Sequence, residues 1–119
     1  MTDFFETWLL FPHLTVGALL QCWDSSAVYA LRDATTKDIL KFGSTRRLGQ
    51  RILHDYIAGV GGDTTKRIHS ALFANKTIEH VELAWLVTKD QEEARRKETE
   101  FRNVYKKAHG QRPAWDRQG

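Results

Sequence analysis

The chain has 119 residues, 41% of them hydrophobic, which is enough for one core and too few for a second independent domain. Its 18 Lys and Arg against 15 Asp and Glu leave a net charge of +3, a balance that suits a polyanionic partner without demanding one. A single cysteine, Cys22, excludes an intrachain disulfide and a cysteine-rich zinc site, and the simpler expectation is a reducing, intracellular and cytoplasmic setting.

At the start of the chain, Asp3 and Glu6 stand where a secretory leader would carry basic residues, so export is not expected. Residues 7–23 are apolar and uncharged, yet they include Pro12, His13, Gly17 and Gln21 and fall short of the about 20 apolar residues that a spanning helix needs. The expectation is no membrane span and a packed helical segment. Thr2 or Asp3 is placed to cap a short helix through Trp8 and Leu9 that Pro12 ends, and Val16, Leu19, Leu20 and Trp23 recur at helical spacing behind it. Residues 1–25 therefore read as an N-terminal helical extension packed on a core formed by residues 26–119.

Ala27 to Leu31 and Ile39 to Phe42 are short apolar runs around a polar turn, the pattern of a hairpin closed by Gly43. From Thr45 a helix is expected, with Leu48, Ile52 and Tyr56 on one side, until Gly59, Gly61 and Gly62 break it. Thr64 or Thr65 is the expected cap of a further helix carrying Ile68, Ala71 and Leu72 and stopping near Asn75. Val81, Leu83, Trp85 and Val87 then alternate with His80, Glu82, Ala84 and Leu86, which predicts a third strand with one better-buried face. Asp90 and Glu93 have the spacing of a capping box, opening a long helix with Ala94, Phe101, Val104, Tyr105 and Ala108 inward and Gly110 and Pro113 at its end. The order is that of one α+β layer, a small three-stranded antiparallel sheet flanked by helices.

Two charges interrupt these stripes. Glu98 lies four residues after Ala94 and three before Phe101, on the side of the helix that should face the core. A bare carboxylate there is costly, so it is exposed by rotation, paired with Arg95 or Arg102, or bound to a cation. Arg51 flanks Ile52 instead of opposing it, and its planar fork of donors matches a phosphate; the plainer reading is a helix pair with Asp55.

Ala27-Val28-Tyr29, then Lys41-Phe42-Gly43-Ser44-Thr45, then Arg51 and Glu98, resemble in order and spacing the signature of the GIY-YIG nucleases. The resemblance covers the chain from about Ser26 to Trp115. It implies a metal-dependent endonuclease that hydrolyses DNA phosphodiester bonds with water as nucleophile. In it Tyr29 is the tyrosine of the first motif, Arg51 the catalytic arginine, and Glu98 the ligand of one divalent ion, Mg²⁺ or Mn²⁺. Those residue types suit the roles, since hydrolysis needs an activated water, stabilised phosphoryl charge and help for the departing alkoxide. Tyr29 in turn could equally be a sheet tyrosine packed in the core.

The sequence departs from the family pattern in four places. Ala27 replaces the leading glycine. Lys41 replaces the second-motif tyrosine, where it would accept a proton or bind phosphate. Asp55 stands four residues after the arginine, where histidine or tyrosine is common, so that role passes to His54 or Tyr56. Asp116 stands where asparagine commonly follows the proline and aromatic residue that close the domain. Lys41 and Asp116 also motivate an alternative, a catalytically weakened nucleic-acid-binding module of the same fold.

The basic pairs Arg46-Arg47 and Lys66-Arg67 read first as solvated helix faces, and with Ser44 and Thr45 they are the candidate track for a nucleic-acid backbone, DNA before RNA. A third alternative gives the N-terminal segment, with Trp8, Phe11 and Trp23 exposed, to a protein partner or homo-oligomer. The nuclease reading asks that Tyr29, Lys41, Arg51 and Glu98 meet in one pocket, with the Glu98 carboxylate on the same side of the sheet as the Arg51 guanidinium.

Overall fold

A computed structural model of the chain describes residues 4–5, 7–11 and 22–116. Among these the sheet has four antiparallel strands, β1 (Leu9–Leu10), β2 (Ala27–Asp33), β3 (Ile39–Thr45) and β4 (Val81–Val87), in the order β1-β4-β2-β3. The hairpin and the third expected strand form, but β3 runs on through Gly43, expected to close it, to Thr45, where a helix was expected to begin. The additional strand comes from the segment expected to be helical: Leu9 and Leu10 pair with Leu83 and Glu82 and extend the sheet along β4. Two residues of ladder satisfy backbone groups that β4 would otherwise leave open, an advantage invisible to a local helix pattern. The stripe of Val16, Leu19 and Leu20 lies outside the described residues.

Both faces of the sheet are covered. On one, Ala27, Tyr29 and Leu31 of β2 pack against Leu48, Ile52, Tyr56, Ile68 and Leu72. The first three of those five fall on the single stripe expected after Thr45, but the backbone is a π-helix over Gln50–Ile57. Its wider turn sets residues five apart one above the other, and places the Arg51 guanidinium 4.5 Å from the Tyr56 ring centre. Helix α1 (Asp63–Phe73) follows, with Gly62 at its N-cap instead of a threonine. It stops just before Asn75, whose φ of 53° cannot continue a right-handed helix.

On the other face Val28 and Ala30 of β2, Phe42 of β3 and Ala84 of β4 pack against Phe101 and Tyr105 of α2 (Gln91–His109). Asp90 caps α2 by accepting from the Glu93 N–H at 2.9 Å, as its spacing predicts, and Gly110 ends the helix at φ 78°. Because β4 is sandwiched, Val81 to Ala84 are all buried, against the expectation of one better-buried face, while Val87 and Val104 are exposed. Phe11 is buried, Trp8 lies beneath Arg32 with 4.2 Å from guanidinium to ring centre, and Trp23 packs on Gly49. Those contacts cover Phe11 and leave Trp8 and Trp23 half-buried, which counts against the protein-docking alternative. Among the described residues no helix is long and apolar enough to cross a membrane.

A candidate anion pocket at the end of strand β3

Strand β3 is the edge of the sheet, and its C-terminal end opens into a pocket of about 280 Å³ lined by Ser44, Thr45, Arg46, Arg47, Gln50, Arg51, Asp55 and Gln91. Three arginines in one small opening make it a candidate site for an anion.

Arg51 enters from the Tyr29 face. Its Nε donates to the Tyr29 hydroxyl at 3.4 Å, and its Nη1 donates to Asp55 at 3.0 Å and to the Thr65 hydroxyl at 2.8 Å. Burial works against the charge of Arg51. The oxygens of Tyr29 and Tyr56, with hydrogen bonds to Tyr29 and Asp55, more than offset that, so its proton is held more tightly than in a free arginine. Asp55, the i+4 partner weighed from sequence, is thus one of several contacts that fix the guanidinium. Its other oxygen lies 2.9 Å from His54 Nδ1, and the His54 side chain is half exposed.

Tyr29 and Tyr56 lie deeper. They are 1% and 0% exposed, with their hydroxyls 2.5 Å apart. Burial, and next the neighbouring Tyr29 oxygen, pushes Tyr56 well above the ordinary tyrosine range, with Arg51 pulling the other way. Neither hydroxyl lines the pocket. They buttress Arg51 from below, so Tyr29 and Tyr56, both expected among the catalytic groups, lie behind it. The glycine of the second motif has a steric reason: Gly43 is the β3 partner of Tyr29, and a methyl group there would run into Cζ and the hydroxyl of the ring.

Glu98 does not line the pocket; it approaches the end of β3 from the other face. Gln91, which lines the pocket, is seven residues earlier on α2, so the two share a helix side. One Glu98 oxygen accepts from the Ser44 hydroxyl and the other from Arg102 Nη2, both at 2.7 Å. Side chains alternate along β3, placing Ser44 with Phe42 on the α2 face and Gly43 with Tyr29 on the π-helix face. The Arg51 guanidinium and the Glu98 carboxylate therefore approach from opposite faces of the sheet, and the expectation of a shared side is corrected. What they share is the end of one edge strand, with Ser44 in contact with both the pocket and Glu98.

The pairing of Glu98 with Arg102 is the plainer alternative weighed for that carboxylate. Asp116 continues the chain of charges: it accepts from Lys41 Nζ at 2.9 Å and from the Phe42 N–H at 3.0 Å, while Arg102 also donates to the Phe42 carbonyl at 3.3 Å. Asp116 and Arg102 together satisfy the outward backbone groups of Phe42, so they close the sheet edge. Lys41 and Asp116, two departures from the family pattern, thus form one ion pair, with side chains 9% and 5% exposed. Lys41 is committed to that pair and does not line the pocket, against its expected place among the catalytic groups.

Arg46 and Arg47 are exposed at the pocket rim, and Arg47 also pairs with Asp24 at 2.9 Å. Lys66 and Arg67 do not line it; Arg67 donates to the Trp115 carbonyl at 2.9 Å and so helps hold the C-terminal segment. Among the described residues no group of three or more His, Cys, Asp or Glu could cage a metal. The Glu98 carboxylate and Ser44 hydroxyl are nonetheless a hard, oxygen-only pair. That suits an ion such as Mg²⁺, which keeps most of its water and takes the rest of its shell from phosphate.

Thr65, Gln50 and Gln91 are residues of the site that sequence reasoning did not assign to it, whereas Arg102 was weighed as the partner of Glu98. Gln91 carried a signal, at seven residues from Glu98 on the same helix, and Gln50 is the chain neighbour of Arg51; Thr65 carried none, because tertiary packing alone brings it to Arg51. No family model matches the chain, and no curated protein matches its sequence.

Proposed function

We propose that the chain is a metal-dependent endonuclease of the GIY-YIG type, cutting DNA by hydrolysis at a site wrapped around the end of β3. The condition of one shared pocket is not met, since Lys41 lies outside it and Glu98 approaches from the opposite face of the sheet; what supports the reading is the opening at the end of β3, where Ser44 links the two halves. Arg51, braced by Tyr29, Tyr56, Asp55 and Thr65, lines it together with Ser44, whose hydroxyl holds Glu98. The resemblance of Tyr29, Gly43-Ser44-Thr45, Arg51 and Glu98 to the family signature supports the same assignment.

A backbone phosphate would sit in the opening, with its charge met by Arg51 through Nη2, the nitrogen not already donating to Tyr29, Asp55 or Thr65, and by Arg46 and Arg47 at the rim. Pre-placed guanidinium charge is worth most where charge develops in the transition state, and Arg51 is fixed before substrate arrives. His54, not itself among the lining residues but steadied through Nδ1 by Asp55, which is, would be the group to move a proton. Glu98, with Ser44 beside it, would hold the ion, Mg²⁺ or Mn²⁺, which supplies Lewis-acid polarisation of the phosphate and an acidified water. The substrate phosphate must reach round the strand end to engage both halves, so an exposed, bendable or single-stranded backbone fits better than one held flat.

Incubating the purified chain with supercoiled DNA and Mg²⁺ or Mn²⁺ tests the reading. Nicking that EDTA, Glu98→Ala and Arg51→Ala each abolish supports it, and DNA binding without cleavage under every metal condition overturns it. That second outcome is the alternative of a binding module, which the closed ion pairs of Lys41 with Asp116 and Glu98 with Arg102 favour.

A further inference from the structure

Arg102 stands between two carboxylates in unequal contact. Its Nη2 donates to Glu98 at 2.7 Å, whereas its Nε is 3.5 Å from Asp116 Oδ2, too poorly placed for a hydrogen bond, and is left buried without one. A buried guanidinium N–H without an acceptor is unfavourable, and here an acceptor waits one small movement away. A divalent ion at Glu98 would meet the positive charge of Arg102 at close range, and that repulsion is relieved only if the guanidinium withdraws.

We propose that Arg102 is a built-in counter-ion that occupies the cation position at Glu98 and moves onto Asp116 when a divalent ion binds. Resting on the assignment of Glu98 as the metal carboxylate, the inference makes Arg102 the positioning residue that sets metal affinity, and Asp116 its second seat. In the metal-free chain the Glu98 charge is neutralised and the edge of β3 is sealed. With the ion bound, Arg102 Nε gains the partner it lacks, and one Glu98 oxygen is released to the metal. The exchange makes and breaks ion pairs only.

The test is direct Mn²⁺ binding to the full chain without DNA, followed by loss of the free-ion signal in electron paramagnetic resonance. Arg102→Gln, which removes the competing charge while keeping a donor for the Phe42 carbonyl, is expected to tighten binding about ten-fold, roughly 1.4 kcal/mol. Arg102→Lys retains the charge and is expected to stay near the wild-type affinity, and Asp116→Asn is expected to weaken binding several-fold by removing the second seat. Glu98→Gln should abolish the site. Unchanged affinity in Arg102→Gln overturns the proposal, as does equal tightening by Gln and Lys, which would mark a packing effect. Mn²⁺ binding that follows this order in a chain that never cuts DNA would leave the counter-ion in place and remove only the nuclease reading.

Discussion

The two sides of β3 are built on opposite plans. On the Tyr29 face a single cation, Arg51, is held by neutral hydroxyls and one carboxylate, and part of it remains turned to an open pocket. On the α2 face every charge is answered: Glu98 by Arg102 and Ser44, Asp116 by Lys41 and the Phe42 N–H. The contrast separates a half that is ready for an anion from a half that must open before it can take a cation. On the proposed function, binding of phosphate and binding of metal should therefore be separable by mutation.

The largest expected effect falls on the ready half. Arg51→Ala should lower the rate of DNA nicking on the order of a hundred- to a thousand-fold, the scale of losing one pre-placed charge at a developing oxyanion. Mn²⁺ affinity should be unchanged, since the guanidinium lies across the sheet from Glu98. Measuring both on one sample breaks the comparison if they fall together.

The next effect belongs to the closed half. Asp116→Ala would leave the Lys41 ammonium buried and the Phe42 N–H without its acceptor, a loss of about 3–5 kcal/mol in urea unfolding. Neutralising both charges, in Lys41→Met with Asp116→Asn, should recover most of that stability, because the cost lies in the unpaired charge.

How much of this was legible beforehand divides along the same line. Tyr29, Arg51 and Glu98 stand at spacings that read directly from the chain, and the Leu48, Ile52 and Tyr56 stripe announced its helix. The face on which each charge would sit was not legible. It depends on strand alternation through Gly43 and Ser44, and a shift of one residue in the register would exchange the two faces. The pairing of Lys41 with Asp116, 75 positions apart, is likewise a product of the closed sheet edge, and no local pattern joins them. Leu9 and Leu10 read as helix for a similar reason: the free edge of β4 outweighs a weak local propensity.

A smaller effect sharpens the role of the tyrosine buttress. Gly43→Ala should cost about 1–3 kcal/mol through overpacking against Tyr29, and by tilting that ring it should slow nicking more than it weakens DNA binding. Smaller again is the alkaline response. Tyr56 keeps its proton in the folded chain well above the ordinary tyrosine range, so its contribution to stability is fully present below about pH 10 and is lost as pH rises through the folded-state value. The melting temperature of the wild type should accordingly fall more steeply above about pH 10 than that of Tyr56→Phe. At the rim, Arg47→Ala breaks only an exposed pair with Asp24 and should change stability by less than about 1 kcal/mol, while reducing the salt dependence of DNA binding.

The account rests most directly on whether a carboxylate beyond the edge of β3 serves a phosphate bound on the near side. Supercoiled DNA incubated with Mg²⁺ and either the wild-type chain or Glu98→Ala decides it, with DNA affinity measured in parallel. Nicking by the wild type that vanishes in Glu98→Ala while affinity holds is the predicted result. Equal nicking by the two proteins, or none by the wild type, would contradict it.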